Sequence, residues 1–123
     1  MSQPYHHALS SVRKFGGTVT DYLEIHEWFD ASKEHFADFR HRALRHHTVG
    51  IYEAMRVFGD VEHCITNSDG KKVPVRLIGE QHVKEDCGKI PSLQDWFGEI
   101  RPAKWMGQPP KHLPTELATS VGG

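Results

Sequence analysis

Cysteine is scarce in this chain of 123 residues: only Cys64 and Cys87 occur, far apart and outside any CxxC spacing. That excludes a disulfide framework and a cysteine-rich zinc module. No apolar run approaches the roughly 18 residues that span a bilayer, and MSQPYHHALS contains no apolar signal segment. The sequence therefore reads as a soluble, cytoplasmic protein with no membrane partner. Neither sign of charge dominates, since 15 Lys and Arg face 16 Asp and Glu for a formal charge of -1. A broad basic field for nucleic acid is thus missing, and any such contact must be local. Neither a Walker loop nor a GxGxxG is present, so no nucleotide cofactor is expected. HExxH and GxSxG are missing too. Ser10 and Ser11 come after His6 and His7 on one short segment without the geometry of a triad, and Cys87 sits beside Asp86, which would raise its thiol pKa.

Histidine is what the chain has in excess. Ten are dispersed along it, where about 2% of residues would be usual. The length suits one domain with one core. Tyr5 to Phe15 reads as a short helix with Leu9 and Val12 on one face, closed by Gly16-Gly17. A second helix starts at Thr20, its N-cap, with Asp21 and Glu24 in the first turn. Unbroken helix to Phe58 would make a rod of about 57 Å, longer than the roughly 35 Å diameter of a domain this size. Breaks are expected near Asp30-Ala31-Ser32 and near Gly50.

Beyond Gly59 the pattern changes. His63 to Thr66, the turn Asn67-Ser68-Asp69-Gly70 and Lys72 to Ile78 spell a β-hairpin, with Pro74 confining the second strand to an edge. Glu80 to Cys87 then forms a short helix ended by Gly88, and Ser92 caps a last turn carrying Leu93, Trp96, Phe97 and Ile100. Proline and glycine dominate from Arg101 onward. The fold class is α+β, mainly helical: helices in the N-terminal half, a two-stranded hairpin, short C-terminal helices and a Pro-rich tail. Residues 1–100 form the compact domain and 101–123 the tail.

Five histidines lie between positions 26 and 47. On a continuous helical wheel Ile25, Phe29, Phe36, Phe39 and Ala43 form the apolar side, with His47 inside it; His26, Asp30 and His41 line one edge, His35 and His46 the other. A buried imidazole needs a hydrogen bond or a metal, because leaving it unpaired costs about 1–3 kcal/mol. Two HxxxD pairs, His26 with Asp30 and His82 with Asp86, place an imidazole and a carboxylate one turn apart on the same face, able to chelate one ion or to bond to each other. Ten histidines and 16 acids scatter about 1.3 such pairs by chance. His26, Asp30, His41, His47, His82 and Asp86 are accordingly the candidate ligands of a divalent metal, zinc, iron or manganese. Glu27 and Glu85 are the candidate general bases, and Arg40, Arg42 and Arg45 the candidate grip on an anionic substrate. His6, His35, His63 and His112 read as surface or incidental.

The runs Ile25-His26-Glu27-Trp28-Phe29-Asp30, Arg40 to His47, Ile65 to Gly70 and Ile78 to Asp86 resemble a family of small uncharacterised proteins of bacteria, archaea and tailed phages. The resemblance covers about residues 6 to 100 and omits the tail. It implies a one-domain family identity and carries no reaction. The residues themselves support three functional readings. The first is a metal-dependent hydrolase. The second is a noncatalytic subunit or modulator that binds a protein partner, or a second copy of itself, through the tail. An RNA-binding or phosphate-binding helix face comes third, because the charge balance does not favour it.

Overall fold

The computed structural model describes residues 3–107. The first helix, α1, runs Pro4–Phe15. Proline suits its start because φ is already helical and the missing N–H would have had no intrahelical partner. The helix buries His7, Ala8 and Ser11, a narrow polar and small-residue face. At its end Gly16 and Gly17 take φ of 83° and 77°, the left-handed region that turns the chain back.

Helix α2, Val19–Asp30, starts two residues earlier than Thr20 would have it, with Thr18 as N-cap. Asp21 explains the shift. Its Oδ2 accepts from the Thr18 backbone N–H at 2.7 Å and from the Ser68 N–H at 2.9 Å, so one carboxylate caps the helix and holds the hairpin turn against it.

The long helical stretch breaks after Asp30, as its length required. Two 3-10 segments, Ala31–Glu34 and Phe39–Leu44, come next, and helix α3 begins after them at Thr48–Phe58. Here a single helical wheel fails. Phe36 and Phe39 are exposed at 46% and 63% instead of lining a core stripe. Gly50 does not break the chain but sits in the first turn of α3, where a Cβ would come within 1.9 Å of the Arg45 carbonyl oxygen.

Strands β1 (Cys64–Thr66) and β2 (Lys72–Pro74) pair antiparallel, with Ile65 opposite Val73. Asn67 Oδ1 accepts from the backbone of Asp69 and Lys71, and Gly70 takes φ 80°, so the turn forms at the predicted residues. The second strand, expected to reach Ile78, stops at Pro74. Proline there becomes the N-cap of helix α4, Val75–Cys87, which begins five residues before Glu80. Burial accounts for the change: Val75, Ile78, Gly79, His82 and Val83 are all buried, a helical stripe that strand pairing would have split between two faces. Gly88, with φ 77°, closes α4 in left-handed conformation.

Chain contacts divide into a unit ending at Leu93 and a second beginning at Gln94. The first contains the core of Ala8, Tyr22, Ile25, Phe29, Ile51, Ala54, Val73, Val75, Ile78 and Val83, drawn from α1, α2, α3, β2 and α4. Helices α1, α2 and α4 pack on one another, and α3 packs on α2 and α4. Gly79 of α4 lies where a Cβ would stand 3.1 Å from Phe29 and 3.3 Å from Ile51, so its lack of a side chain sets how closely these helices approach. Helix α5, Leu93–Phe97, spans the boundary; the second unit continues through a 3-10 turn at Lys104–Met106. The tail beyond residue 107, with His112 and the partner-binding role expected of it, lies outside the described residues. No helix among the described residues is long and apolar enough to cross a membrane.

Candidate metal centre

Helices α1, α2 and α4 each turn a polar group into the space between them. His7 comes from α1, Asp30 from the last residue of α2, and His82 and Asp86 from consecutive turns of α4. One nitrogen or oxygen from each of these four side chains lies within 4.8 Å of every other. Four donors held tetrahedrally at 2.0–2.1 Å from zinc stand about 3.3 Å apart, so adjustments on the order of 1 Å would close this cluster on an ion. His7 and His82 are no more than 1% exposed, and the Asp30 and Asp86 side chains no more than 5%.

Asp86 is the centre of the arrangement. Its Oδ1 is 3.2 Å from His7 Nε2, while its Oδ2 is 3.2 Å from His82 Nε2 and 3.0 Å from His46 Nε2. Asp30 Oδ1 completes the ring at 3.3 Å from His82 Nε2 and 3.7 Å from His46 Nε2. Burial alone would push the Asp86 carboxyl pKa up; the imidazoles of His46, His7 and His82 outweigh it and hold the group well below the usual carboxylate range. Asp30 is lowered in the same way, its burial offset chiefly by His82. Both carboxylates are therefore ionised, and a divalent cation would neutralise the pair.

The surrounding groups hold these side chains in place. Glu85 Oε1 accepts from His7 Nδ1 at 2.7 Å, and Glu85 also binds the Ser10 hydroxyl and the Gln81 amide. Burial opposes protonation of His7, but Asp86 and Glu85 outweigh it and raise the His7 pKa above its ordinary value. His82 stands between the rings of His7 (centroids 4.0 Å apart) and Phe29 (5.0 Å, stacked). His46, wholly buried, has its pKa lowered to about 4 by burial, which the Asp86 hydrogen bond only partly offsets. Arg42 reaches the Asp86 backbone carbonyl at 3.2 Å and its carboxylate at 3.9 Å.

Of the candidate ligands read from the sequence, the fold brings Asp30, His82 and Asp86 together. His26 is one layer back: its Nδ1 is 2.9 Å from His82 Nδ1, and its Nε2 is 2.8 Å from Ser11 Oγ. His47 caps α3, Nδ1 accepting from the Gly50 N–H and Nε2 donating to the Ala43 carbonyl. His41 bonds Ser32 through Nδ1. Glu85 supports His7, and Glu27 is exposed on α2. The three arginines do not form one anion site. Arg40 forks onto Asp38 and lies over Phe36, Arg45 lies over Trp28 at 4.0 Å and donates to its carbonyl, and Arg42 faces Asp86.

Two members of the cluster were not among the sequence candidates. His7 has no HxxxD partner, and its signal was the small, polar face it shares with Ala8 and Ser11. His46 was placed on the far edge of a wheel that the 3-10 segments dismantle.

Residues 2–106 match the family model described as a domain of unknown function, DUF6915, and the chain belongs to that family. No curated protein matches the chain. No solved structure matches it either.

Proposed function

We propose that this member of the family is a metal-dependent hydrolase whose ion is held by His7, Asp30, His82 and Asp86, with His46 against the same two carboxylates. The observation that carries the reading is the state of His7. Its Nδ1 proton is committed to the Glu85 carboxylate at 2.7 Å, so Nε2 directs its lone pair at Asp86, and Nε2 is buried with no hydrogen-bond partner. A neutral imidazole facing a carboxylate in that way needs a metal ion or a proton between them. The position takes a proton when no metal is there, which is the physical source of the raised His7 pKa. The carboxylate–histidine pair behind a donor nitrogen is also the arrangement that orients metal-bound imidazoles.

A mixed nitrogen and oxygen donor set suits zinc, iron or manganese. Such an ion lowers the pKa of bound water toward 7 and supplies a hydroxide nucleophile. A surface cavity of about 390 Å³ bounded by Gln3, Pro4, Glu27, Asp30, Ala31 and Lys33 touches the cluster at Asp30. Glu27, on the rim of this cavity, is the candidate general base, and Lys33 on the same rim would meet an anionic portion of the substrate. Glu85, already bonded to His7, Ser10 and Gln81, orients His7.

Elemental analysis of untagged full-length protein, with calorimetric titration of zinc, manganese and ferrous iron, tests the centre. One equivalent is expected to bind wild type, and Asp86→Asn is expected to lose it. Equal weak binding to both proteins would defeat the metal reading. Stoichiometric metal without turnover across ester, phosphoester and amide substrates would leave a metal protein and remove the hydrolase.

A further inference from the structure

Behind the cluster a line of hydrogen bonds runs from α1 through α2 to α4, and the proton in each bond can be assigned from chemistry. Gln81 Nε2 faces two groups that only accept, the His7 carbonyl at 2.9 Å and Glu85 Oε1 at 3.1 Å. That fixes the amide orientation, so Gln81 Oε1 faces Ser11 as an acceptor at 2.8 Å. Ser11 has one hydroxyl proton. Directed at Gln81 Oε1, or at the His7 carbonyl at 3.2 Å, it leaves a lone pair for the remaining neighbour, His26 Nε2. His26 must therefore donate from Nε2. No carboxylate contacts His26, and its side chain is wholly buried, conditions that favour the neutral ring. A neutral ring protonated on Nε2 has a bare Nδ1, and that nitrogen is 2.9 Å from His82 Nδ1. The proton between the two rings belongs to His82.

We propose that His26 is a positioning residue that keeps a proton on His82 Nδ1, so that His82 Nε2, which donates to the Asp30 carboxylate in the ion-free structure, is the nitrogen a bound ion would take between Asp30 and Asp86. The consequence for metal affinity rests on the hydrolase centre proposed above; the proton assignment does not. Outer partners of this kind typically change metal affinity by 10–100-fold. His26 does for His82 what Glu85 does for His7, with an uncharged acceptor in place of a carboxylate, which adds no further negative charge to the three carboxylates already there.

Long-range proton–nitrogen NMR on ¹⁵N-labelled full-length protein, metal-free and zinc-loaded, reads each ring directly. His82 is expected to carry a proton on Nδ1 in both states and to lose the one on Nε2 only on zinc loading, and His26 to carry its proton on Nε2. A neutral His82 protonated on Nε2 alone would overturn the proposal. Zinc affinity supplies the second readout. His26→Leu is expected to bind about 10–100-fold more weakly, whereas His26→Asn, whose amide oxygen takes the place of Nδ1, is expected to recover most of that loss. Equal losses in the two folded variants would refute the positioning role. Should His26→Leu fail to fold, His26→Gln replaces it: glutamine keeps a donor toward Ser11 but offers no acceptor at Nδ1, and it is expected to bind as weakly. If wild type binds no zinc, the metal reading fails, and the metal-free spectrum still decides the tautomer.

Discussion

Acidifying the metal-free protein should destabilise it well above the pH at which its carboxylates titrate, and the buried imidazoles set the size of the effect. Burial first, and then the neighbouring rings of His82 and His7, lower the His26 pKa to about 2; burial lowers that of His46 to about 4. Both rings are neutral in the fold and titrate near 6.5 in the unfolded chain. The unfolded state therefore binds more protons as pH falls, and stability is lost from about pH 6.5 downward until the folded-state values are reached. Between about pH 8 and pH 5.5 each such group removes about 1.4 kcal/mol, or about 2.8 kcal/mol for the two. His7 works in the opposite sense. Its pKa is raised, so it adds stability as pH falls and offsets part of the loss, while His41 and His47, lowered by burial, add to it, leaving a net decrease on the order of 2 kcal/mol. Asp30, Glu85 and Asp86 have lowered values, and their contribution survives until the pH approaches about 4. Urea denaturation in chelator at half-unit pH intervals measures the slope. Stability that is flat, or that rises, from pH 8 to pH 5.5 would refute the assignment of neutral, buried rings.

Two further substitutions probe the scaffold. Gly50→Ala places a methyl group within 1.9 Å of the Arg45 carbonyl oxygen, so backbone must move; a loss of about 3 kcal/mol or more is expected from thermal or urea denaturation. Asp21→Ala removes the cap on Thr18 together with the tie to Ser68 and should cost about 1–2 kcal/mol in the same measurement, with zinc affinity unchanged.

Local chemistry that acts over a few residues was legible in the sequence. The Asn67-Gly70 turn and the His82–Asp86 pair on one helical face depend on neighbours within a turn, while the break after Asp30 followed from the length of the stretch. His26 and Asp30 also share a face as the spacing implied, yet they meet opposite nitrogens of His82 and otherwise different partners: Asp30 meets His46, whereas His26 meets Ser11. Spacing identifies residues that are side by side, but which of them points at an ion is decided by the helix packed opposite. His7 shows this most clearly, since its companions lie more than 20 positions along the chain. The exposed Phe36 and Phe39 show the other limit, where a periodicity carried across a break in helix describes a face that does not exist. Pro74 illustrates competition between two local signals, edge strand and helix start, settled by the apolar stripe of α4.

Gly79 lies one turn before His82, at the closest approach of α4 to Phe29 and Ile51. It works as the jaw setting of a calliper. A single methyl group there would make the Phe29 and Ile51 side chains give way by a few tenths of an ångström, and the layer of α4 that carries His82 would feel the shift. The spacing of α4 against Phe29 and Ile51 is thus written in the sequence as an absent side chain, three residues before His82.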